Sequence, residues 1–474
     1  MRTLAIDQGT TSTRALIVDE EGEVTTLLSR PHRQYYPQRG HVEHDPEELV
    51  ASIAACLEAA GIVAGLGAIG IDNQGESCLA WNADTGQAIG PVIVWQDDRT
   101  RDVTERLRAD GAGQLVGERA GLPLDPYFSA SKLSWQLREL PEARPLAARG
   151  KLRLGTTDAF FLDRLVGRFE TDVATASRTS LMNLMTCEWD DELCQLFGVP
   201  REALPRIVPS AGDFGELHCC GRRVPLSASI VDQQASLYGH GCRNAGDAKI
   251  TFGTGAFALA VAGPTVPAAV GALPTIAWQR AGEPPTYALD GGVYCASSAV
   301  NWARAIGLFA DFAEIDQFEG PSAISRGLAF VPALAGLACP HWNRSAKGAW
   351  LGLSLDTDAN EMVRAVLEGV AFRTAEAVRA IETIQLLSDP ISIDGGMVAN
   401  SYFCQFLADV LEREVLVSTQ PELTAIGVAA LASEAVGTPF PLTRRGRHIA
   451  PRPIPATDAA RFSGARSAVE SFSV

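Results

Sequence analysis

Four hydroxyl side chains follow a carboxylate and a glycine near the start of the chain. The sequence LAIDQGTTSTRALIVDEEGEV, residues 4–24, places Asp7 at the end of one apolar run, and residues 9–13 separate that run from a second one. This layout predicts a β-hairpin. A tip with backbone N–H groups and short hydroxyl donors is suited to binding a polyphosphate. The alternative is a tight turn whose hydroxyls only cap backbone groups.

A second segment repeats this layout in the other half of the chain. The sequence AKITFGTGAFALAVAG, residues 248–263, again joins a β-rich run to an apolar return run through Gly253, Thr254 and Gly255. Repetition of one layout predicts two domains of similar topology whose hairpin tips face one cleft. The repeat favours phosphate binding at the first tip. Because a carboxylate repels phosphate unless a divalent cation lies between them, we expect Asp7 to hold Mg²⁺ or its water shell.

Asp232 is the candidate for acid–base chemistry. It directly follows the apolar run ASIV and precedes two glutamines. This order places its carboxylate at the end of a buried strand, where active-site residues of α/β sheets tend to lie. Phosphoryl transfer to an alcohol needs such a carboxylate to accept the hydroxyl proton and orient the oxygen. The alternative role is an N-cap for the helix that begins at QQASLYG.

The elements that must position these residues indicate an α/β protein with a mixed sheet. Asp45 and Pro46 predict a helix start, AIGIDNQ predicts a buried strand, and SCLAWNADTGQAI predicts an edge strand that ends in a turn. Later runs predict an amphipathic helix from residue 359, a short strand at ISIDGG and a small-residue helix at ELTAIGVAALASEAVG. After Thr438 the chain is rich in Pro and Arg, and we expect an irregular tail from about residue 439.

Eight sequence blocks resemble the FGGY carbohydrate kinases, and most of all their glycerol kinase branch. The resemblance extends over residues 1 to about 437. It implies two actin-like, ribonuclease-H-like domains, residues 1–242 and 243–474, with mixed sheets flanking a central cleft that binds ATP and a small polyol. The blocks occur in the family's order, and they read AIDQGTTSTRALIVD, GHVEHDPEEL, AIGIDNQGES, VIVWQDDRT, LPLDPYFSASKL, SIVDQQASLYG, TFGTGAFAL and IDGGMVANS.

The same resemblance implies roles for individual residues. Asp232 would be the base, and Asp7 would hold the metal. The polyol would contact Glu76, Trp95, Tyr127, Asp232, Gln233 and Phe257. ATP would contact Gln8, Thr10, Thr11, Arg14, Gly253 and Thr254 at its phosphates, and Gly395, Gly396 and Asn400 at its adenosine. Taken singly, Trp95 could equally be a core residue and Tyr127 an exposed one. The GxxxxGKS phosphate loop is absent from the sequence.

Two positions depart from the family pattern. Glycerol kinases carry an arginine where this chain has Gly75, which leaves the acceptor open between glycerol and a four- or five-carbon polyol or sugar. Another side chain, such as Arg99, or water could fill the gap. The second departure is His218-Cys219-Cys220, which stands where regulated relatives carry a glycine-rich effector loop. We do not expect that regulation, and a metal site there lacks an evident fourth ligand.

Composition excludes some partners. The formal net charge of −16 opposes nucleic-acid binding, and neither a signal peptide nor a long apolar segment is evident. We therefore expect a cytoplasmic kinase, and the resemblance implies a homo-oligomer, a dimer. A function of another class is an actin-like nucleotide switch without a small-molecule substrate. A catalytically inactive sensor would predict loss of Asp7 or Asp232, and both are present.

Overall fold

The computed structural model describes residues 1–219, 221–268 and 270–472. Strands and helices alternate in both halves of the chain. The strands of the first half are β1 (Arg2–Gln8), β2 (Ser12–Val18), β3 (Val24–Pro31), β4 (Glu43–His44), β5 (Leu66–Asn73), β6 (Cys78–Asn82), β7 (Val92–Ile93), β8 (Leu152–Thr156), β9 (Glu170–Asp172), β10 (Met182–Asn183), β11 (Glu188–Trp189), β12 (Arg206–Val208), β13 (Glu216–Cys219) and β14 (Arg222–Val231). Its helices are α1 (Pro46–Ala60), α2 (Arg101–Ala109), α3 (Gly113–Ala120), α4 (Ser129–Glu139), α5 (Ala143–Ala148), α6 (Thr157–Val166), α7 (Val173–Ala176), α8 (Asp191–Phe197) and α9 (Asp232–Gly239).

The second half is built from fewer and longer elements. Its strands are β15 (Ala248–Phe252), β16 (Ala256–Gly263), β17 (Leu273–Trp278), β18 (Thr286–Val293), β19 (Ala329–Val331), β20 (Ala349–Leu351), β21 (Ile391–Gly395), β22 (Val415–Ser418) and β23 (Gly446–Ile449). Its helices are α10 (Ser297–Ala305), α11 (Ala359–Glu382), α12 (Ser401–Leu411), α13 (Leu423–Ala435) and α14 (Ala456–Phe472).

Two large mixed sheets share one topology. The first has the order β13-β14-β5-β1-β2-β3, and the second has the order β17-β18-β16-β15-β21-β22-β23. In each, an antiparallel three-stranded meander is followed by two strands parallel to its first strand. This arrangement confirms the predicted pair of ribonuclease-H-like domains. The repeated hairpins are β1–β2 and β15–β16, which are equivalent in the two sheets.

Local sequence signals explain several of these elements. The carboxylate of Asp45 accepts a hydrogen bond from Glu47 N, and Pro46 is the first residue of α1, as predicted. The amphipathic run from residue 359 forms the 24-residue helix α11, whose buried face includes Val370 and Phe372. Each of these helices forms where an N-cap residue and the spacing of the apolar residues predict the same element.

Two predictions about individual elements are wrong. Strand β6 is not an edge strand, because it lies between β7 and β8 in a separate sheet of order β4-β7-β6-β8. The segment after Thr438 is not an irregular tail. Strand β23 extends the second sheet by pairing with β22, and α14 buries Phe462 against Phe372, with ring centroids 4.8 Å apart. Proline and arginine near residues 444–455 mask these two elements in the sequence.

A helix from the second half joins the two domains. Helix α13 packs on the first sheet and crosses α9, the helix that begins at Asp232. At the crossing, a Cβ on Gly427 would lie 1.7 Å from the carbonyl oxygen of Ala235, and a Cβ on Gly239 would lie 1.8 Å from the carbonyl oxygen of Leu423. Only glycine permits this backbone approach. The small-residue composition of α13 therefore sets how closely the two domains meet beside Asp232.

We predict that Gly427→Ala destabilises the protein, because its methyl group would overlap the backbone of α9. The expected loss is about 2–4 kcal/mol of the free energy of unfolding, measured by denaturant titration. Gly464→Ala is the matched control, since Gly464 lies in α14 with nothing within 4 Å of a Cβ. Alanine there should be neutral or stabilise the helix by up to about 1 kcal/mol. Equal stability of both variants would contradict the tight crossing.

Candidate active site

A small cavity lies between the two sheets. Its volume is about 70 Å³. Six of the residues predicted to contact the polyol line it, together with Thr10 from the first hairpin tip, so the structure brings this set together. The lining residues are Thr10, Gly75, Glu76, Trp95, Tyr127, Arg178, Val231, Asp232, Gln233, Gln234, Phe257, Leu259 and Asp290.

Asp232 is the first residue of α9 and follows strand β14, as the sequence indicates. Its Oδ1 accepts a hydrogen bond from the backbone N–H of Gln233, at 2.6 Å, and the side chain is half-buried against the cavity. Burial, with the nearby carboxylates of Glu76 and Asp7, raises the pKa of Asp232 to about 7. A carboxylate in this state can accept a proton near neutral pH.

Three aromatic side chains form the apolar wall of the cavity. The ring of Trp95 makes edge-to-face contacts with Tyr127 and Phe257, with centroids 5.6 and 6.5 Å away. The indole N–H of Trp95 donates to the hydroxyl of Thr10, at 3.0 Å. Burial and the carboxylate of Glu76 raise the pKa of the Tyr127 phenol, which keeps it a neutral donor. Trp95 and Tyr127 thus face the cavity.

Charged side chains also line the cavity. Arg178 Nε donates to Glu76 Oε1 at 2.6 Å, and Arg178 Nη2 lies 2.9 Å from Asp290 Oδ2. Burial opposes the charge of Arg178, yet the two carboxylates outweigh it and raise its pKa. Burial raises the pKa of Glu76, and Arg178 limits this shift. The ion pair with Asp290 connects the first domain to strand β18 of the second.

A buried lysine orients Gln233. Lys249 Nζ donates to Gln233 Oε1 at 2.7 Å and to Thr251 Oγ1 at 2.9 Å. Lys249 lies on β15 and is fully buried, and its burial lowers the pKa of the ammonium group. With Oε1 occupied, the amide N–H₂ of Gln233 remains to face the cavity.

The first hairpin tip places Asp7 beside a second carboxylate. Asp7 and Asp72 are in register on the parallel strands β1 and β5. Both carboxylate oxygens of Asp72 are buried and have no hydrogen-bond partner among the residues that the structure describes. Burial and the charges of Asp7 and Asp232 raise the pKa of Asp72. Two adjacent oxygen-rich side chains form a donor set that suits a hard divalent cation.

Three other predicted phosphate contacts at this tip do not line the small cavity: Gln8, Thr11 and Arg14. Arg14 forms ion pairs with Asp7 and, at 2.5 Å, with Glu422 of the second half. The amide N–H₂ of Gln8 donates to Gly9 O at 2.8 Å, and its buried Oε1 has no partner among the described residues. The side chain of Thr11 is exposed. Arg14 is partly exposed and Thr11 exposed, so neither is closed off from a ligand.

The second tip lies beside a larger cavity. The carbonyl groups of Gly253 and Thr254 accept hydrogen bonds from Ser297 N and Ala296 N, at 3.1 and 2.9 Å, where helix α10 begins. Ser297 also lines a cavity of about 590 Å³. The other lining residues are Val300, Asn301, Phe312, Ala313, Ile315, Asp316, Leu367, Gly396, Met397, Ala399 and Asn400.

Two of the three predicted adenosine contacts line this larger cavity. Gly396 has no atom within 4 Å of a Cβ position, so its backbone is open to a ligand. Asn400 caps α12 through its side-chain oxygen and donates to Ile315 O at 2.6 Å. Gly395 does not line the cavity. It has φ +96° and lies against the backbone of Phe252, which joins β21 to the second tip.

Sequence reasoning missed several residues of the site, among them Asp72, Arg178, Val231, Lys249 and Asp290. Asp72 and Lys249 left a signal, since each is a charged side chain inside an otherwise apolar strand. Arg178 and Asp290 are more than 100 residues apart and meet only in the fold. Arg99, a candidate to fill the gap at Gly75, is instead held by Asp97 and Glu43 away from the cavity.

The segment at His218 and Cys219 forms part of β13, and Cys220 lies outside the described residues. Within residues 1–219, 221–268 and 270–472, no group of three or more His, Cys, Asp or Glu side chains is arranged to hold a metal ion. In the same ranges, every helix is too short or too polar to cross a bilayer.

Comparisons with known proteins agree with this geometry. Residues 2–239 and 248–436 match the N-terminal and C-terminal domain models of the FGGY family of carbohydrate kinases. The chain is 42% identical to a glycerol kinase from Geobacter sp. (strain M21), over 92% of this chain and 90% of that protein. It is 41% identical to a glycerol kinase from Thermus brockianus, over 98% and 97%. A crystal structure of Plasmodium falciparum glycerol kinase with ADP superposes with a TM-score of 0.90, at 29% identity, over 99% of this chain and 98% of that one.

The raised pKa of Asp232 predicts a stability cost that depends on pH. Between the ordinary aspartate pKa near 4 and about 7, the folded protein holds one more proton at this carboxyl than the unfolded chain, so rising pH destabilises the fold. Asp232→Asn removes this loss. We compare the free energy of unfolding of the variant with that of wild type. We expect this difference, variant minus wild type, to be roughly 2–3 kcal/mol more positive at pH 8 than at pH 5. Denaturant titrations at both pH values measure it.

Asp110→Asn is the control, because Asp110 is exposed at the end of α2. Its stability relative to wild type should be the same at the two pH values. A pH-independent effect of Asp232→Asn would show that this carboxyl ionises in the folded protein as it does in water.

Proposed function

This chain belongs to the FGGY family of carbohydrate kinases, and we propose that it transfers the γ-phosphate of ATP to a primary hydroxyl of glycerol, giving glycerol 3-phosphate. The observation that carries this proposal is the small cavity lined by Asp232, by aromatic side chains and by hydrogen-bonding groups. Such a site fits a short carbon chain with several hydroxyls. Glycerol is also the substrate that the names of the similar kinases give.

The size of the cavity favours a three-carbon acceptor over a longer one. At about 70 Å³ the cavity is small, which suits a short acceptor. Glycerol has six non-hydrogen atoms. A four- or five-carbon polyol or sugar, which Gly75 left open, would require the walls to move. An actin-like nucleotide switch has no need of this polar, enclosed cavity.

Asp232 is the proposed base. Its carboxylate accepts the proton of the acceptor's primary hydroxyl while that oxygen attacks the γ-phosphorus. The bond from the γ-phosphorus to the bridging oxygen breaks, and ADP leaves with the bond's electrons. Glu76, Tyr127 and Gln233 hydrogen-bond the hydroxyl groups, and Trp95 and Phe257 contact the carbon chain. Enclosure between the domains excludes water, which would otherwise hydrolyse ATP.

ATP is proposed to bind across the two tips. Gln8, Thr10, Thr11 and Arg14 contact its phosphates from the first domain, and Gly253 and Thr254 do so from the second, beside the N-terminus of α10. The adenosine occupies the larger cavity, where Gly396 and Asn400 line the wall and Gly395 supports it. In this assignment the nucleotide extends from the larger cavity, which holds the adenosine, past both tips toward the smaller cavity, which holds the acceptor. Phosphoryl transfer needs this order, because the γ-phosphate must lie next to the acceptor.

Asp7 is the proposed Mg²⁺ ligand. Mg²⁺ is usually held by one or two carboxylates together with phosphates and waters, so a cluster of three protein ligands is not required. The unpartnered oxygens of Asp72 beside Asp7 fit this donor set. When bound, the ion would neutralise charge that develops on the phosphates.

The wider organisation is proposed on the family's pattern. The domain boundary lies near residue 242, between α9 and β15. The chain acts in the cytoplasm as a homodimer. Analytical ultracentrifugation measures the assembly, and a monomer at micromolar concentration would reject the dimer.

We predict that kcat/KM for glycerol rises tenfold per pH unit up to about pH 7 and then levels, because Asp232 must be ionised to act as the base. Asp232→Asn should lower kcat by about 10²–10⁴-fold and leave the KM for ATP nearly unchanged. The measurement is ADP release across glycerol, dihydroxyacetone, erythritol, threitol, xylitol and ketoses. A loss of less than about tenfold, 1.4 kcal/mol of barrier, would reject Asp232 as the base.

We also predict that chelation of divalent cations abolishes transfer and that added Mg²⁺ restores it. Asp7→Asn should raise the Mg²⁺ concentration for half-maximal activity at least tenfold, because a carboxylate ligand is lost. Asp84→Asn, a change in an exposed ion pair with Lys151, is the control and should leave the Mg²⁺ titration unchanged. The same titration curve for both variants would remove Asp7 from the metal site.

A further inference from the structure

The gap at Gly75 is closed by an apolar side chain. A Cβ on residue 75 would lie 2.6 Å from Val231 Cγ2. Because valine is branched at Cβ and stiff about χ1, it cannot turn away at little cost. The resemblance implies an arginine at residue 75, and with Val231 in place no such side chain fits. Gly75→Arg alone should therefore disturb the cavity, and the cation for the acceptor must come from elsewhere.

Arg178 supplies a cation at the same cavity. The residue is 4% exposed, and its guanidinium is held by Glu76 and Asp290. The rings of Tyr127 and Phe128 lie 5.9 and 5.4 Å from its central carbon. These contacts fix the group in one orientation. Unlike a flexible surface arginine, it loses little conformational freedom when a ligand binds.

One hydrogen-bond donor and one acceptor in this ion-pair network remain unpaired among the described residues. Arg178 Nη1 and Asp290 Oδ1 are buried, and neither has a hydrogen-bond partner among the described residues. Both side chains line the cavity. A buried polar atom without a hydrogen-bond partner is destabilising, because it has lost its contact with water and gained none in return. Two such atoms on groups joined by a 2.9 Å ion pair form a site for a ligand that both accepts and donates hydrogen bonds.

We propose that Arg178 and Asp290 determine which acceptor is used: Arg178 Nη1 donates to, and Asp290 Oδ1 accepts from, the hydroxyl groups at the end of the acceptor remote from the phosphorylated oxygen. The proposal rests on the kinase function proposed above and specifies its substrate class, a short polyol with a terminal diol. A hydroxyl group is a donor and an acceptor at once, so it satisfies both atoms. An aliphatic end would leave them buried and unpaired.

The pair also joins substrate recognition to the approach of the domains. Arg178 belongs to the first domain, directly after α7, and Asp290 lies on β18 of the second. The terminal hydroxyl of the acceptor would therefore bridge the two domains. An acceptor that lacks this hydroxyl would contact the two domains less well, so the enzyme would discriminate against it when the domains approach.

The test compares two acceptors that differ in this hydroxyl, glycerol and 1,2-propanediol, with ATP as donor. Wild type should prefer glycerol in kcat/KM on the order of 100-fold, since groups built to bind a hydroxyl reject its absence. Asp290→Asn preserves the shape, and Arg178→Lys preserves the charge. Each should reduce the preference at least tenfold, chiefly through a higher KM for glycerol. Asp163→Asn, a largely buried partner of Arg153 away from both cavities, should retain it.

Two outcomes overturn the proposal: equal use of both acceptors by wild type, or an unchanged preference in both variants, which includes the case of equal losses with both acceptors. Circular dichroism establishes that each variant is folded, and the wild-type comparison stands even if one is not. Calorimetric titration with glycerol separates this inference from the kinase function. Binding by wild type that Asp290→Asn weakens, without phosphate transfer, would support the subsite and reject the kinase. No binding and no transfer would reject both.

Discussion

Burial of several carboxylates between two domains is the constraint on which the site depends. Four carboxylates, those of Asp7, Asp72, Glu76 and Asp290, are buried, and Asp232 lies half-buried beside them. Isolated charges in such a place are costly, so they must be neutralised, paired or protonated. Arg178 and Lys249 supply buried positive charge, and Asp232 keeps its proton to a higher pH than an exposed aspartate. The same burial that costs stability raises the pKa of Asp232 toward neutral pH, which suits its proposed role as the base and is the usual exchange between stability and activity in active sites.

The charges are held in place by contacts that cross from one domain to the other. Helix α13 crosses α9 at two glycines behind Asp232, and the ion pair of Arg344 with Asp125 spans the opposite side of the cleft. Arg14 adds a third crossing contact, with Glu422 at the start of α13. Because Arg14 is also the proposed phosphate contact, ATP would compete with Glu422 for it. Nucleotide binding and the relative position of the domains are thereby linked through one guanidinium.

Much of the fold could be predicted from the sequence, because its signals are local. The hairpins β1–β2 and β15–β16, the capped helix α1 and the amphipathic helix α11 are each specified by consecutive residues. The elements β23 and α14 were missed because their stability comes from packing on β22 and on Phe372, which composition does not reveal. In the site, residues at strand ends and tips could be named. Arg178 and Asp290 could not, since a buried ion pair between distant segments leaves no pattern along the chain.

Gly75 shows why a departure at one position must be interpreted together with the position that packs against it. Taken alone, replacing an arginine by glycine suggests an enlarged pocket and a longer substrate. In the structure Val231 occupies that space, so the pocket remains about 70 Å³. The change is then one of chemistry rather than size, because an apolar methyl group takes the place of a cation. Among the described residues that line the cavity, Arg178 is the cation, and in our proposal the polar end of the acceptor turns toward it.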